Sequence, residues 1–156
     1  MNYLLGSGEA VIDRFNSHVH DGVARLLPAA LLRVQSQGRK FLIEEVDFGQ
    51  PVGETICVPT GPGDEIVYAI RPKRFGHSRF VKNRKPEPCG AVTIILKRDE
   101  FDPYYVLITA FVGHKPEPEP WDRNSNGLSR DFWSSHALIW GCEEVMHNTV
   151  TTECPW

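Results

Sequence analysis

The sequence predicts an α+β fold: a helical N-terminal region, then a mainly antiparallel sheet of about five strands and a C-terminal helix, in a single domain over 1–156. Three observations predict it. Apolar residues recur every three or four positions from Val11 to Leu26, which is the period of one helix face. From residue 41 onward they gather instead in short runs rich in Val, Ile, Phe, Tyr and Thr, bounded by Gly, Pro and Asp. The connections between those runs are too short for the crossover that parallel neighbours need.

Taken in order, residues 8–36 read as helix. Ser7 suits an N-cap and Glu9 the positive end of the helix dipole. Val11, Phe15, Val19, Val23 and Leu26 then share a face. Pro28 lacks an N–H and clashes with the preceding turn, so a break is expected near residue 27, with a second short helix over Ala29–Gln35 closed by Gly38. Strands are expected over Phe41–Phe48, Thr55–Pro59, Glu65–Arg71, Ala91–Lys97 and Tyr104–Val112, the last two joined as a hairpin across Lys97–Pro103. The run Lys115-Pro116-Glu117-Pro118-Glu119-Pro120 excludes helix and central strand, which predicts an extended loop over His114–Asn126 closed by Trp121. Ser129 is the expected N-cap of a last helix running to about Trp140, before Gly141.

Composition narrows the class. At 156 residues, with 41% hydrophobic and 24% charged residues, the chain is long enough for a sizeable core and far from a disordered composition. No apolar run approaches 18 residues, and the opening lacks the basic and apolar regions of a signal peptide, so a cytoplasmic protein without a membrane span is expected. Cys57, Cys89, Cys142 and Cys154 stand far apart with no CxxC pair, which favours ordinary thiols over a disulfide scaffold or structural zinc.

The formal net charge of −3 conceals an asymmetry. Residues 71–85 hold Arg71, Lys73, Arg74, Arg79, Lys82, Arg84 and Lys85 and no acid, leaving ten bases against 20 acids elsewhere. Such a strip focuses positive potential on an acidic body. A solvated loop is the plainer reading. The interleaving of Phe75, His77 and Phe80 among the cations favours anion binding. A phosphodiester needs cationic donors and a group that titrates near pH 7; arginine and histidine supply these, which singles out His77 and Arg79 as catalytic candidates and Arg74 and Lys82 as substrate-binding ones. Thr109 ends an apolar strand, where its hydroxyl can meet a phosphate or simply suit a β-strand. His136 on the last helix is either a satisfied core histidine or the partner of His77, and His114 competes for the same role. His18 and His20 lie two apart on the expected first helix and point to different faces, so they do not form a metal pair. No HExxH, GxxxxGK[ST], GxGxxG or GxSxG occurs, so no catalytic metal and no cofactor are expected.

The order His77…Arg79…Lys82, followed by a strand pair ending in Ile108-Thr109-Ala110-Phe111-Val112, resembles the barnase/EndoU/colicin/RelE-like toxin ribonucleases. There a histidine or arginine follows an early strand, and Ser or Thr lies in a later segment like "TAFP". Valine stands here where proline is common. The resemblance covers residues 65–112 and leaves the N-terminal 40 residues and the Pro-rich loop unaccounted for. It implies metal-independent RNA cleavage, with RNA as substrate and an inhibitor protein as a further partner. His77 or His136 would take the 2′-hydroxyl proton, Arg79 and Lys82 would balance the phosphorane charge, Thr109 would position an oxygen, and the other histidine would protonate the leaving group.

Two other classes compete. A non-enzymatic module would use the basic segment to hold an anionic partner, nucleic acid or acidic protein, and would need the cations but no histidine. A small-molecule pocket would place Trp121, Trp133 and Trp140 beneath the Pro-rich loop, although tryptophans more often simply pack.

Overall fold

Strand rather than helix dominates the computed structural model, which describes residues 2–14 and 22–156. Strands make up 39% of the described residues and helices 8%, so the expected α+β class with a helical N-terminal region is replaced by a mostly β architecture. In chain order the elements are β1 (Asn2–Leu4), β2 (Ala10–Ile12), α1 (Leu27–Leu31), β3 (Phe41–Asp47), β4 (Gly53–Thr55), β5 (Cys57–Pro59) and β6 (Ile66–Ile70). There follow β7 (His77–Val81), β8 (Glu87–Cys89), β9 (Ala91–Arg98), β10 (Tyr105–Val112), α2 (Ser129–Ser135), β11 (His136–Ile139) and β12 (Met146–Thr151).

The helical reading of 8–36 fails for a physical reason. Val11, Val23 and Leu26 are all buried, as the apolar face required, but in two different settings. Val11 lies in strand β2, between β1 and β10, while Val23 and Leu26 precede the five-residue helix α1. A spacing of three or four fixes which residues are apolar, not which backbone presents them. Pro28 sits in the first turn of α1, where its missing N–H has no partner to lose, so it starts a helix instead of breaking one. Phe15, Val19, His18 and His20 lie outside the described residues.

By contact density the chain forms two compact units: Met1–Glu54 with Pro88–His114, and Thr55–Glu87 with Lys115–Trp156. The first contains the sheet β1-β2-β10-β9-β3. Its β9–β10 hairpin has a bulge between Leu107 and Thr109, which reverses the parity of the strand. Tyr105 and Leu107 face the core before the bulge and Ala110 after it, alongside Leu42, Val92, Ile94, Leu96 and the α1 residues Leu27, Ala30 and Leu31. Ser7, the expected N-cap, instead accepts a hydrogen bond from Ser36 N at 3.0 Å.

The second unit contains the sheet β12-β6-β7-β11-β5, in which β6 and β7 are antiparallel and β7 and β11 parallel. Val67, Ala69, Phe80 and Leu138 join Trp133 of α2 in one apolar cluster. Val58, Val81, Ala137 and Ile139, alternate with these along the same strands, form another. The expected last helix stops at Ser135, because residues 137–139 are claimed by ladders to β5 and β7. Leu128, not Ser129, occupies the cap position.

Candidate anion-binding site

Strand alternation decides where the proposed catalytic side chains point. Residues 77–81, expected to lie in a loop, form β7, with Tyr68 opposite Arg79 and Ile70 opposite His77. His77, Arg79 and Val81 therefore share one face of the sheet, and the buried Ser78 and Phe80 share the other. On the neighbouring β11, Leu138 pairs with Phe80, so His136, two residues earlier, belongs to the Phe80 face. His77 and His136 thus leave the sheet on opposite sides.

Each histidine is also engaged. His77 Nε2 lies 3.1 Å from the carbonyl of Thr149, which only accepts, so Nε2 carries the proton. His136 stacks on Phe132 with centroids 4.0 Å apart and planes at 5°, and its Nδ1 lies 3.0 Å from the Phe132 carbonyl. That carbonyl, at the end of α2, also accepts from Ser135 Oγ at 3.2 Å. Thr109 and His114 belong to the first unit. Thr109 follows the bulge in β10, and His114 Nδ1 lies 2.9 Å from Glu45 Oε2 in a solvent-exposed pair.

The acid-free segment 71–85 acquires acids from distant parts of the chain. Arg71 is held by Glu119 and by Glu143, the latter at 2.8 Å, and its Nε donates to Ser78 Oγ at 3.1 Å. Arg84 pairs with Glu87 and, at 3.2 Å, with Asp64. The Gly61 N–H foremost, and then Arg84, hold the Asp64 carboxyl below the usual carboxylate range. Arg79 donates to Thr60 Oγ1 at 2.8 Å and to the His136 carbonyl at 3.0 Å. These three arginines thus hold the unit together. Lys82 lies over the Trp140 ring, 5.7 Å from its centroid.

The remaining cations of the turn border a cleft of about 790 Å³ lined by Lys73, Arg74, Phe75, Trp121 and Arg123, with the Arg71–Glu119 pair also on its wall. Lys73, Arg74 and Arg123 are exposed and have no acidic partner among the described residues. Asp122, the other carboxylate on the lining, accepts the Asn124 N–H at 2.8 Å. The turn itself is built from Arg71-Pro72-Lys73-Arg74, closed by Arg74 N to Arg71 O at 3.1 Å. Pro72 at its second position and a φ of 64° at Lys73 are the signature of a type II turn, which ordinarily has glycine third. Phe75 follows, 93% exposed. Trp121 is brought to the cleft by the Pro-rich segment, which is anchored where Trp133 Nε1 donates to Glu117 O at 2.8 Å.

Of the three tryptophans expected to line a pocket, Trp121 alone lines this cleft. Trp133 is 2% exposed in the core, and Trp140 packs edge-on against Phe80 at 5.4 Å. Sequence reasoning reached Arg74 and noted Phe75 but missed Arg123, which lies some fifty residues from the turn and carries no local signal. Among the described residues no group of three His, Cys, Asp or Glu side chains converges to hold a metal, and no helix is long and apolar enough to cross a membrane. Comparison with known proteins finds no family model, no curated relative and no solved structure that matches the chain.

Proposed function

We propose that the protein is a non-enzymatic binding module whose Lys73–Arg74 turn and Arg123 hold an anionic partner. The observation that supports this is the division of labour among the cations. Arg71, Arg79 and Arg84 are bound into the unit, while Lys73, Arg74 and Arg123 border an open cleft in no ion pair among the described residues; of the two carboxylates on its lining, Glu119 is held by Arg71 and Asp122 accepts the Asn124 N–H. Unpaired cations around a concave surface raise the local concentration of an anion and steer its approach.

The ribonuclease reading asks for more. Its mechanism needs an acid and a base flanking one phosphodiester, and His77 and His136 project from opposite faces of their sheet. The binding reading requires neither.

The two readings separate in one set of titrations. Binding of a phosphate polymer should weaken steeply between about 50 and 200 mM salt, with a log–log slope near −2 if three cations each contribute about 0.7 as at single strands. Lys73→Ala/Arg74→Ala should remove most of that slope, whereas His77→Ala and His136→Ala should leave it intact. Incubation with mixed RNA in EDTA should leave the RNA whole. Histidine-dependent cleavage giving 2′,3′-cyclic phosphate ends would overturn the proposal in favour of the ribonuclease.

A further inference from the structure

We infer that the anion held at this cleft is single-stranded nucleic acid, gripped by a base stacked on Phe75 while Lys73, Arg74 and Arg123 contact its phosphates. The inference rests on the binding reading above and adds the chemical class of the partner.

Phe75 is the observation that points to it. Its ring is 93% exposed at the mouth of the cleft, directly after the two free cations of the turn. Phe80, on the following strand, is wholly buried. Among the described residues no cation lies over the Phe75 ring, so a cation–π contact within the chain does not account for its exposure. A carboxylate or a free phosphate would make no use of that ring, whereas a partner that brings a flat π-face and a phosphate together would, and that is the repeating unit of an unpaired strand. Base-on-ring stacking contributes on the scale of tenfold in affinity and tolerates any base, while the neighbouring cations follow the backbone. Arg74 presents a planar fork that matches phosphate oxygens, and Lys73 a point charge.

The second face of the cleft is fixed in place. Gly76 has no side chain, and the Trp121 indole occupies the space that one would fill: a Cβ there would lie 2.9 Å from Trp121 Cδ1 and closer still to Cβ and Cγ. The Pro-rich segment bearing Trp121 is therefore seated directly against the turn bearing Phe75. Duplex nucleic acid offers its bases only in stacked pairs, so this arrangement discriminates against it. A chain of carboxylates has charge but no ring to stack.

The test is a fluorescence-anisotropy titration of the full chain with fluorescein-labelled 15-nucleotide single strands of RNA and DNA, the corresponding duplexes, inorganic polyphosphate and polyglutamate. Single strands should bind more tightly than the duplex, polyphosphate or polyglutamate. Phe75→Ala, at a fully exposed position that leaves folding unaffected, should weaken single-strand binding roughly 5- to 100-fold and leave polyphosphate binding within about twofold. An excess of adenosine monophosphate should displace the strand only weakly.

Unchanged single-strand affinity in Phe75→Ala, equal binding of polyphosphate, or tighter binding of polyglutamate would overturn the inference while leaving the anion-binding module in place. Full displacement by the mononucleotide would overturn the assignment of a strand. Failure of every anion to bind would remove both the inference and the reading beneath it.

Discussion

Gly76 lies against the indole of Trp121 so closely that a methyl group at residue 76 would overlap Trp121 Cβ and Cγ. This fit joins the basic turn to the Pro-rich segment across more than forty residues of sequence. Trp121 is held through its Cβ and cannot swing away as the tip of a flexible chain would. Gly76→Ala should therefore destabilise the protein by about 1–3 kcal/mol, the usual cost of overpacking. Urea unfolding checks it: the midpoint should fall while the slope stays constant.

Lys73 occupies the left-handed region, with φ of 64°, where a side chain costs energy that glycine does not. Lys73→Gly should stabilise the fold by about 1 kcal/mol, read from the thermal midpoint, and should weaken anion binding in the same variant. A loss of stability would show that Lys73 has a structural partner in solution.

Arg71 should matter far more to folding than to binding. Its side chain is 16% exposed and that of Glu119 is 11%, so Arg71→Ala would strand a largely desolvated carboxylate. We expect a loss of about 3 kcal/mol, near the lower end for a broken buried pair. Glu143→Gln removes a partner that is 32% exposed and should cost under about 1 kcal/mol. Equal losses in the two variants would contradict the burial argument.

Burial, and secondarily the nearby Glu119, push the Cys57 thiol up to about 12. An unfolded thiol ionises near pH 8.5. Between these values the unfolded chain sheds a proton that the folded chain retains, so stability should decline as pH rises from about 8.5 towards 12. Cys57→Ala should flatten that decline. At pH 8.5 iodoacetamide should label the exposed Cys142 and Cys154 well before Cys57.

Several strands were legible in the sequence because their cause is local. The run Phe41–Phe48 becomes Phe41–Asp47, and Tyr104–Val112 becomes Tyr105–Val112, since β-branched and aromatic runs bounded by turn residues favour an extended backbone in most settings. The strands that escaped notice were those made by their partners. His77–Val81 contains two cationic or titratable side chains in five residues and reads as a polar loop. It is a strand because β6 and β11 bind it on both sides. Residues 136–139 read as the end of a helix for the same reason: ladders to β5 and β7 override a helical spacing that covers one short turn.

The candidate site divides in the same way. Composition alone determined that a dense run of cations, interleaved with aromatic residues, lies at 71–85, because charge and residue type are properties of the chain wherever it goes. Only the tertiary structure decided which of those cations are free. Arg71 finds its acids 48 and 72 residues away, and Arg123 joins Lys73 and Arg74 from a different loop. The two-residue alternation of a strand, invisible until the strand is known, sends His77 and His136 to opposite faces. Charge is written locally, but neutralisation and direction depend on neighbours that only folding brings together.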